Sequence, residues 1–168
     1  MIRPRFATYR SILLVAACLT MANCAHETHQ PRETYQERAK LIKDHADSFY
    51  GNLKTNRVES AIQDNRKIEA MALQIGDTVK KQTGQPSTPA ADQELALLNT
   101  ANATAATNWL ALGQYYTIKR QYPQAHATYR RLIDSYTNST DRPYREQALR
   151  ALKDLDGRHP PTTTTANP

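Results

Sequence analysis

Residues 106–136 read ATNWLALGQYYTIKRQYPQAHATYRRLIDSY. Trp109, Leu112 and Tyr116 recur at steps of three and four, so a helix carries all three on one face. Tyr122, Ala125, Tyr129, Leu132 and Tyr136 step by three and four along a second helix. Lys119-Arg120-Gln121 between them is polar and short, as the turn of a helix hairpin requires. Pro123 falls in the first turn of the second helix, where it is tolerated. Gly113 and Ala125 are small and let the two helices approach closely where they cross. The aromatic stripe is core, not a site. The stretch predicts an antiparallel helix hairpin, and with it an all-α fold.

A single hairpin cannot bury its own apolar face, and roughly three such units are needed for stability. The flanking segments must complete the stack. Downstream, Asp141 is placed to cap a helix with Pro143 near its start. Tyr144, Ala148, Ala151, Leu152 and Leu155 give that helix an apolar face, and Arg145, Glu146, Arg150, Lys153 and Asp154 a charged one. It reads as a solvating end helix stopped by Gly157. The tail 157–168, with four consecutive threonines, reads as disordered. Upstream, Thr88 is placed to cap a helix that begins at Pro89 and turns Ala91, Leu95 and Leu98 to one side. The run Asn99–Thr104 has low helix propensity and is expected to interrupt it. A helical domain over 89–156 results.

Gly84 and Pro86 mark 82–88 as a linker. Before it, Tyr35, Ala39, Ile42, Ala46, Phe49 and Leu53 keep the helical period, as do Val58, Ala61, Asn65, Ile68, Ala72, Ile75 and Val79. Asn56 followed by Glu59 has the spacing of a capping box. The 34–81 region therefore predicts two amphipathic helices, near 33–53 and 57–81, or one long bent helix. The second run also has the spacing of a coiled-coil seam with Asn65 at a core place, where a buried amide can fix oligomer state. Packing within the protomer is the other reading of that face.

The chain opens with MIRPRFATYRS, three arginines and no acid, followed by the short apolar run ILLVAACLTMA. Such a run is too short to span a bilayer, which takes roughly 20 residues. A basic segment followed by a short apolar one is the form of a secretory signal peptide. Of the 168 residues only two are cysteine, Cys18 and Cys24, and both lie in or just after this run. The formal charge is +6, but Arg3, Arg5 and Arg10 precede Cys24, so the chain beyond residue 23 carries +3. Lys and Arg there are interspersed with Asp and Glu, without the concentrated basic face of a nucleic-acid binder. Residues 24–33 read as a polar tether. His26 and His29, with Glu27, are too few for a zinc site. No nucleophile elbow, metalloprotease helix, P-loop or dinucleotide fingerprint occurs, so neither a catalytic set nor a cofactor or metal is expected.

The spacing Trp109-x2-Leu112-Gly113-x2-Tyr116, then Ala125-x3-Tyr129, resembles the tetratricopeptide repeat, with Thr137 where the repeat ends on proline. The resemblance implies helix hairpins that hold a peptide or partner domain against the first helix of each pair. Carried over, the groove positions here are Thr107, Leu110, Gln114, Thr117 and Ile118. Alternatively Leu110 and Ile118 contact the preceding helix or the 34–81 region. The N-terminal segment resembles a bacterial lipoprotein signal over residues 1–23, with Cys24 acylated. Cys18, or ordinary cleavage after Ala22 or Ala25, are the alternatives. The layout is similar to that of periplasmic coordinators and outer-membrane assembly lipoproteins over about 106–155. That resemblance implies a palmitoylated lipoprotein of the outer membrane facing the periplasm. Its repeat would bind another envelope protein or peptide rather than catalyse. A soluble periplasmic or secreted protein, a structural homo-oligomer joined through 58–79, and a cell-wall enzyme accessory are the competing expectations.

Overall fold

The computed structural model describes residues 34–84, 86 and 88–158. The signal segment, Cys18, Cys24, the tether and residues 159–168 of the tail lie outside the described residues. Among the described residues the fold is all-α. It comprises α1 (Tyr35–Lys54), α2 (Val58–Gln82), α3 (Pro89–Ile118), α4 (Tyr122–Ser135), a 3-10 turn (Ser139–Asp141) and α5 (Arg142–Arg158).

Side-chain caps fix where two of these helices begin. Thr34 caps α1 in a full capping box: its hydroxyl accepts from the Glu37 N–H, and the Glu37 carboxylate accepts from the Thr34 N–H at 2.7 Å. Thr88 accepts from the Ala91 N–H at 3.2 Å, with Pro89 at the first helical position. The Asn56–Glu59 box does not form. Arg57 occupies the cap of α2 without a side-chain bond, and Asn56 instead ends α1 with φ at +60°. The Arg57 N–H reaches back to the Asn52 carbonyl at 2.8 Å and the Asn56 N–H to Leu53. This is the Schellman closure of a helix C-terminus, which needs a left-handed residue. The Asn56 amide oxygen then accepts from the Tyr115 hydroxyl.

The same closure ends α3. Arg120 has φ +58°, its N–H donates to Thr117, and the Gln121 N–H donates to Tyr116. Hairpins α1–α2 and α3–α4 thus share one three-residue turn. The repetition extends into burial. Shifting by the spacing from Asn56 to Arg120 carries Ala61, Asp64, Asn65, Ile68 and Ala72 onto Ala125, Thr128, Tyr129, Leu132 and Tyr136, and all ten are buried. It also carries Phe49 onto Gly113. The two hairpins differ there in size: Phe49 is fully buried at the first position, whereas Gly113 leaves room for the Tyr129 ring. A Cβ at Gly113 would sit 2.4 Å from that ring.

Contacts set the directions. α1 and α2 are joined by three residues and pack on each other, with Asp64 meeting Ser48 and Asn52, so they run antiparallel. Asn65 meets Asn108, and Gly76 faces Leu98, so α2 and α3 do too. Arg38 pairs with Glu94 and Asn56 with Tyr115, so α1 and α3 run the same way. At the other end α5 packs on α4 and on α3. Each helix thus touches its neighbour in sequence, and α3 also touches both α1 and α5.

Two further expectations are corrected. α3 is continuous through Asn99–Thr104. Ala101 and Ala105 are buried there, and the Thr100 and Thr104 hydroxyls bond the carbonyls four residues back, so packing outweighs propensity. Gly157 does not stop the last helix, which runs on through Arg158. The helices on either side of the 82–88 linker contribute to one core: Ile42, Phe49, Ile68 and Ile75 belong to the same cluster as Leu97, Trp109, Leu112 and Leu132.

Candidate functional site

Two polar clusters hold the helices in register. Asn65 donates to the Ala105 carbonyl at 3.1 Å and accepts from the Asn108 amide at 2.9 Å, all of it buried. The seam of α2 is therefore spent inside the protomer: Ala61, Asn65, Ile68, Ala72 and Ile75 are all buried in the chain's own core. Glu69 is a second tie. Its carboxylate accepts from Trp109 Nε1 at 2.7 Å, the Tyr136 hydroxyl at 3.0 Å and Arg131 at 3.0 Å. Arg131 also lies over the Trp109 ring, 4.4 Å from its centre. Burial, then the neighbouring Glu69 carboxylate, pushes the Tyr136 phenol far above its ordinary range, so it stays a donor.

A third cluster has residue types that enzymes use, but not their arrangement. Asp64 accepts from Ser48 Oγ at 2.6 Å and from Asn52 at 2.8 Å, with Lys67 at 3.4 Å and His45 Nδ1 at 3.5 Å from its other oxygen. Burial raises the Asp64 carboxyl, and the bonds from Ser48, Lys67 and Asn52 outweigh it, leaving it below the usual range. Ser48 donates to the carboxylate rather than to the imidazole, so it is not an activated nucleophile of the Ser–His–Asp kind. The cluster saturates a buried acid between α1 and α2. Among the described residues no group of three or more His, Cys, Asp or Glu side chains is placed to hold a metal. Among them, too, no helix is long and apolar enough to cross a membrane.

The surface that remains is the end of the α3–α4 hairpin. The five groove positions expected from the sequence do not share one environment. Thr107 and Gln114 are exposed, and the Thr107 hydroxyl is turned back onto the Ala103 carbonyl at 2.8 Å. Leu110 is 8 % exposed and belongs to the core. Thr117 and Ile118 stand together at the end of α3, where Ile118 is 79 % exposed. There they border a cleft of about 400 Å³. α3 contributes Thr117 and Ile118, the turn Arg120, α4 Tyr122 and the Tyr129 ring, and α5 Ala151, Asp154, Leu155 and Arg158. Its lining mixes apolar side chains with two arginines and one aspartate. Burial holds the Tyr129 phenol above its ordinary value, so the ring is neutral.

The sequence reading places Arg120 in a turn and Tyr122 in the core stripe and passes over Arg158; it names none of them as a site residue. Their meeting depends on α5 folding back so that its last turn reaches the α3–α4 turn, and no local pattern encodes that return. No family model matches this chain, nor does any curated protein or solved structure.

Proposed function

We propose that this chain is a helical-repeat adaptor of the bacterial cell envelope, anchored through an acylated Cys24, which binds a peptide or a partner protein without catalysing a reaction. The observation that supports it best is the repetition of the hairpin, with the same turn and the same buried register in α1–α2 and α3–α4. Stacked hairpins with odd-numbered helices in contact are the construction of tetratricopeptide-like arrays, whose use is to present a binding surface. Gly113 against Tyr129 puts two residues of that repeat's spacing at its close helix crossing. On this reading the protein is a lipoprotein of the outer membrane facing the periplasm. Burial of the α2 seam removes the motive for a homo-oligomer joined through 58–79.

Two measurements test the reading. Labelled palmitate should enter the wild-type chain and not Cys24→Ser; label retained by that variant moves the anchor to Cys18 or elsewhere. A photo-crosslinking residue at Gln114 or Ile118 should give a discrete adduct with an envelope protein in cells. The same group at Leu73, which is also exposed but lies on α2, should not. Adducts equally frequent at all three positions would reject a binding face on α3.

A further inference from the structure

Charge is divided unevenly along the fold. Residues 35–118, which form α1 to α3, carry nine lysines and arginines against nine acids and are neutral. Residues 119–158, which form α4, α5 and their turns, carry nine against five, and seven of those nine are arginines. The positive excess of the described residues therefore lies on the last two helices. Asp141 is buried there and Arg131 is bound to Glu69, one charge of each sign, so the excess stands on the surface that remains. α5 holds five of the nine cations. Its Ala148 and Leu155 turn inward and are buried. Steps of three and four carry Arg142, Arg145, Leu149 and Lys153 along another face. Leu149 is 48 % exposed on that face. Beside it Glu146 accepts from Arg142 at 2.7 Å. That bond and the Arg142 charge, then Arg150 and Arg145, hold the Glu146 carboxyl below the usual carboxylate range. One acid among three guanidinia does not neutralise them. The helix that ends a repeat array ordinarily shows water a polar face. A leucine ringed by arginines is the pattern of a helix that lies on an anionic membrane surface.

From this we infer that the outer face of α5, with Arg142, Arg145, Arg150 and Lys153 about Leu149, docks on an anionic phospholipid surface. The guanidinia meet lipid phosphates, which their forks match in geometry as well as in sign, and Leu149 enters the headgroup layer. Ten peptide units join Cys24 to Thr34, at most about 35 Å of chain, so an anchored fold always has a bilayer close by. The inference rests on the anchored reading for the presence of that bilayer, and on the charge for the choice of face. An acidic protein fits the face less well. A protein interface is built around an apolar core, and Leu149 is the only exposed large apolar side chain on α4 or α5.

The test uses the full mature chain with Cys24→Ser, so that no acyl group contributes, and vesicles of phosphatidylcholine alone or in equal parts with phosphatidylglycerol. Co-sedimentation should show the mixed vesicles binding about tenfold or more tighter than the neutral ones, with release as salt is raised. Arg150→Gln with Lys153→Gln should weaken that binding about fivefold per cation removed. Lys80→Gln with Lys81→Gln removes the same charge from α2 and should change it little. All four side chains are exposed, so circular dichroism should be unchanged in both double variants. An environment-sensitive fluorophore attached through Leu149→Cys should shift to the blue on the mixed vesicles, and the same label attached through Leu73→Cys should not. Equal binding to both vesicles, equal loss in the two double variants, or an unshifted label at position 149 overturns the proposal. A label there that shifts with poly-L-glutamate and not with vesicles assigns the face to an acidic protein and overturns it too. Palmitate uptake by the wild type without vesicle binding by this chain leaves the anchor standing and sinks the docking face. Vesicle binding together with no palmitate uptake sinks the anchor and leaves the face.

Discussion

At Gly113 the chain has no Cβ because the Tyr129 ring occupies the space one would fill. Gly113→Ala would place that atom 2.4 Å from the ring edge, and the ring is buried and cannot swing away freely. The helix gains up to about 1 kcal/mol from alanine, and overpacking costs about 1–3 kcal/mol. Net destabilisation is expected, read as a lower urea midpoint, and Tyr129→Leu in the same chain should relieve part of it. Asn65 presents the opposite problem. Asn65→Ala leaves the Asn108 amide and the Ala105 carbonyl buried without their partner, at a cost of about 1–3 kcal/mol. Thermal unfolding monitored by circular dichroism checks it. The sequence marked both residues as special, Gly113 by its place in a spaced pattern and Asn65 as an amide in an apolar run. It did not say what each one faces, because facing is a property of two helices.

Among the elements, α3 separates local preference from tertiary demand most clearly. Its middle is rich in Asn and Thr, and an isolated peptide would fray there. In the protein one flank of that middle lies against α2, and the helix serves both hairpins at once. Asn102→Pro tests its continuity. A proline inside an unbroken helix costs about 3 kcal/mol or more, whereas one placed at an existing break would cost little. Hydrogen exchange should show lost protection spreading from Asn102 through the Asn65–Asn108 contact. The turns show a complementary lesson. Asn56 read as the start of α2 and is the end of α1, because an Asn at a helix boundary satisfies either role and only the path of the chain selects one. The capping box of α1, Thr34 with Glu37, has the spacing of such a box, yet the sequence reading passes over it in favour of Asn56–Glu59.

For the whole molecule the shared core makes the hairpins one cooperative unit. Ile68→Asp buries a charge where Ile68 is now fully enclosed, and it should unfold α3–α5 together with α1–α2 in a single transition. A wild-type-like melt of a dissociated monomer would instead restore the idea of an intermolecular seam. Acid should act on the same unit through Asp64. Its carboxyl titrates below its ordinary value of 3.8 in the folded chain. The stability it contributes is therefore present above about that pH and is lost as pH falls through the lower folded value. Unfolding free energy should decline in that acid window, and Asp64→Asn should flatten the decline.

Periodicity, turn residues and small-residue spacing determined that the chain is helical, where most helices begin and end, and that Trp109, Tyr116, Tyr129 and Leu132 build a core. These signals are local: each is carried by residues within a few turns of one another, and the backbone obeys them wherever it goes. Tertiary structure alone decided that α3 is unbroken, that Asn65 faces Asn108 within one chain, and that Leu110 is interior while Ile118 is open. It alone brought Arg120 and Arg158 to one cleft. Each of these depends on which faces meet across helices far apart in sequence, and burial, not propensity, sets their energy.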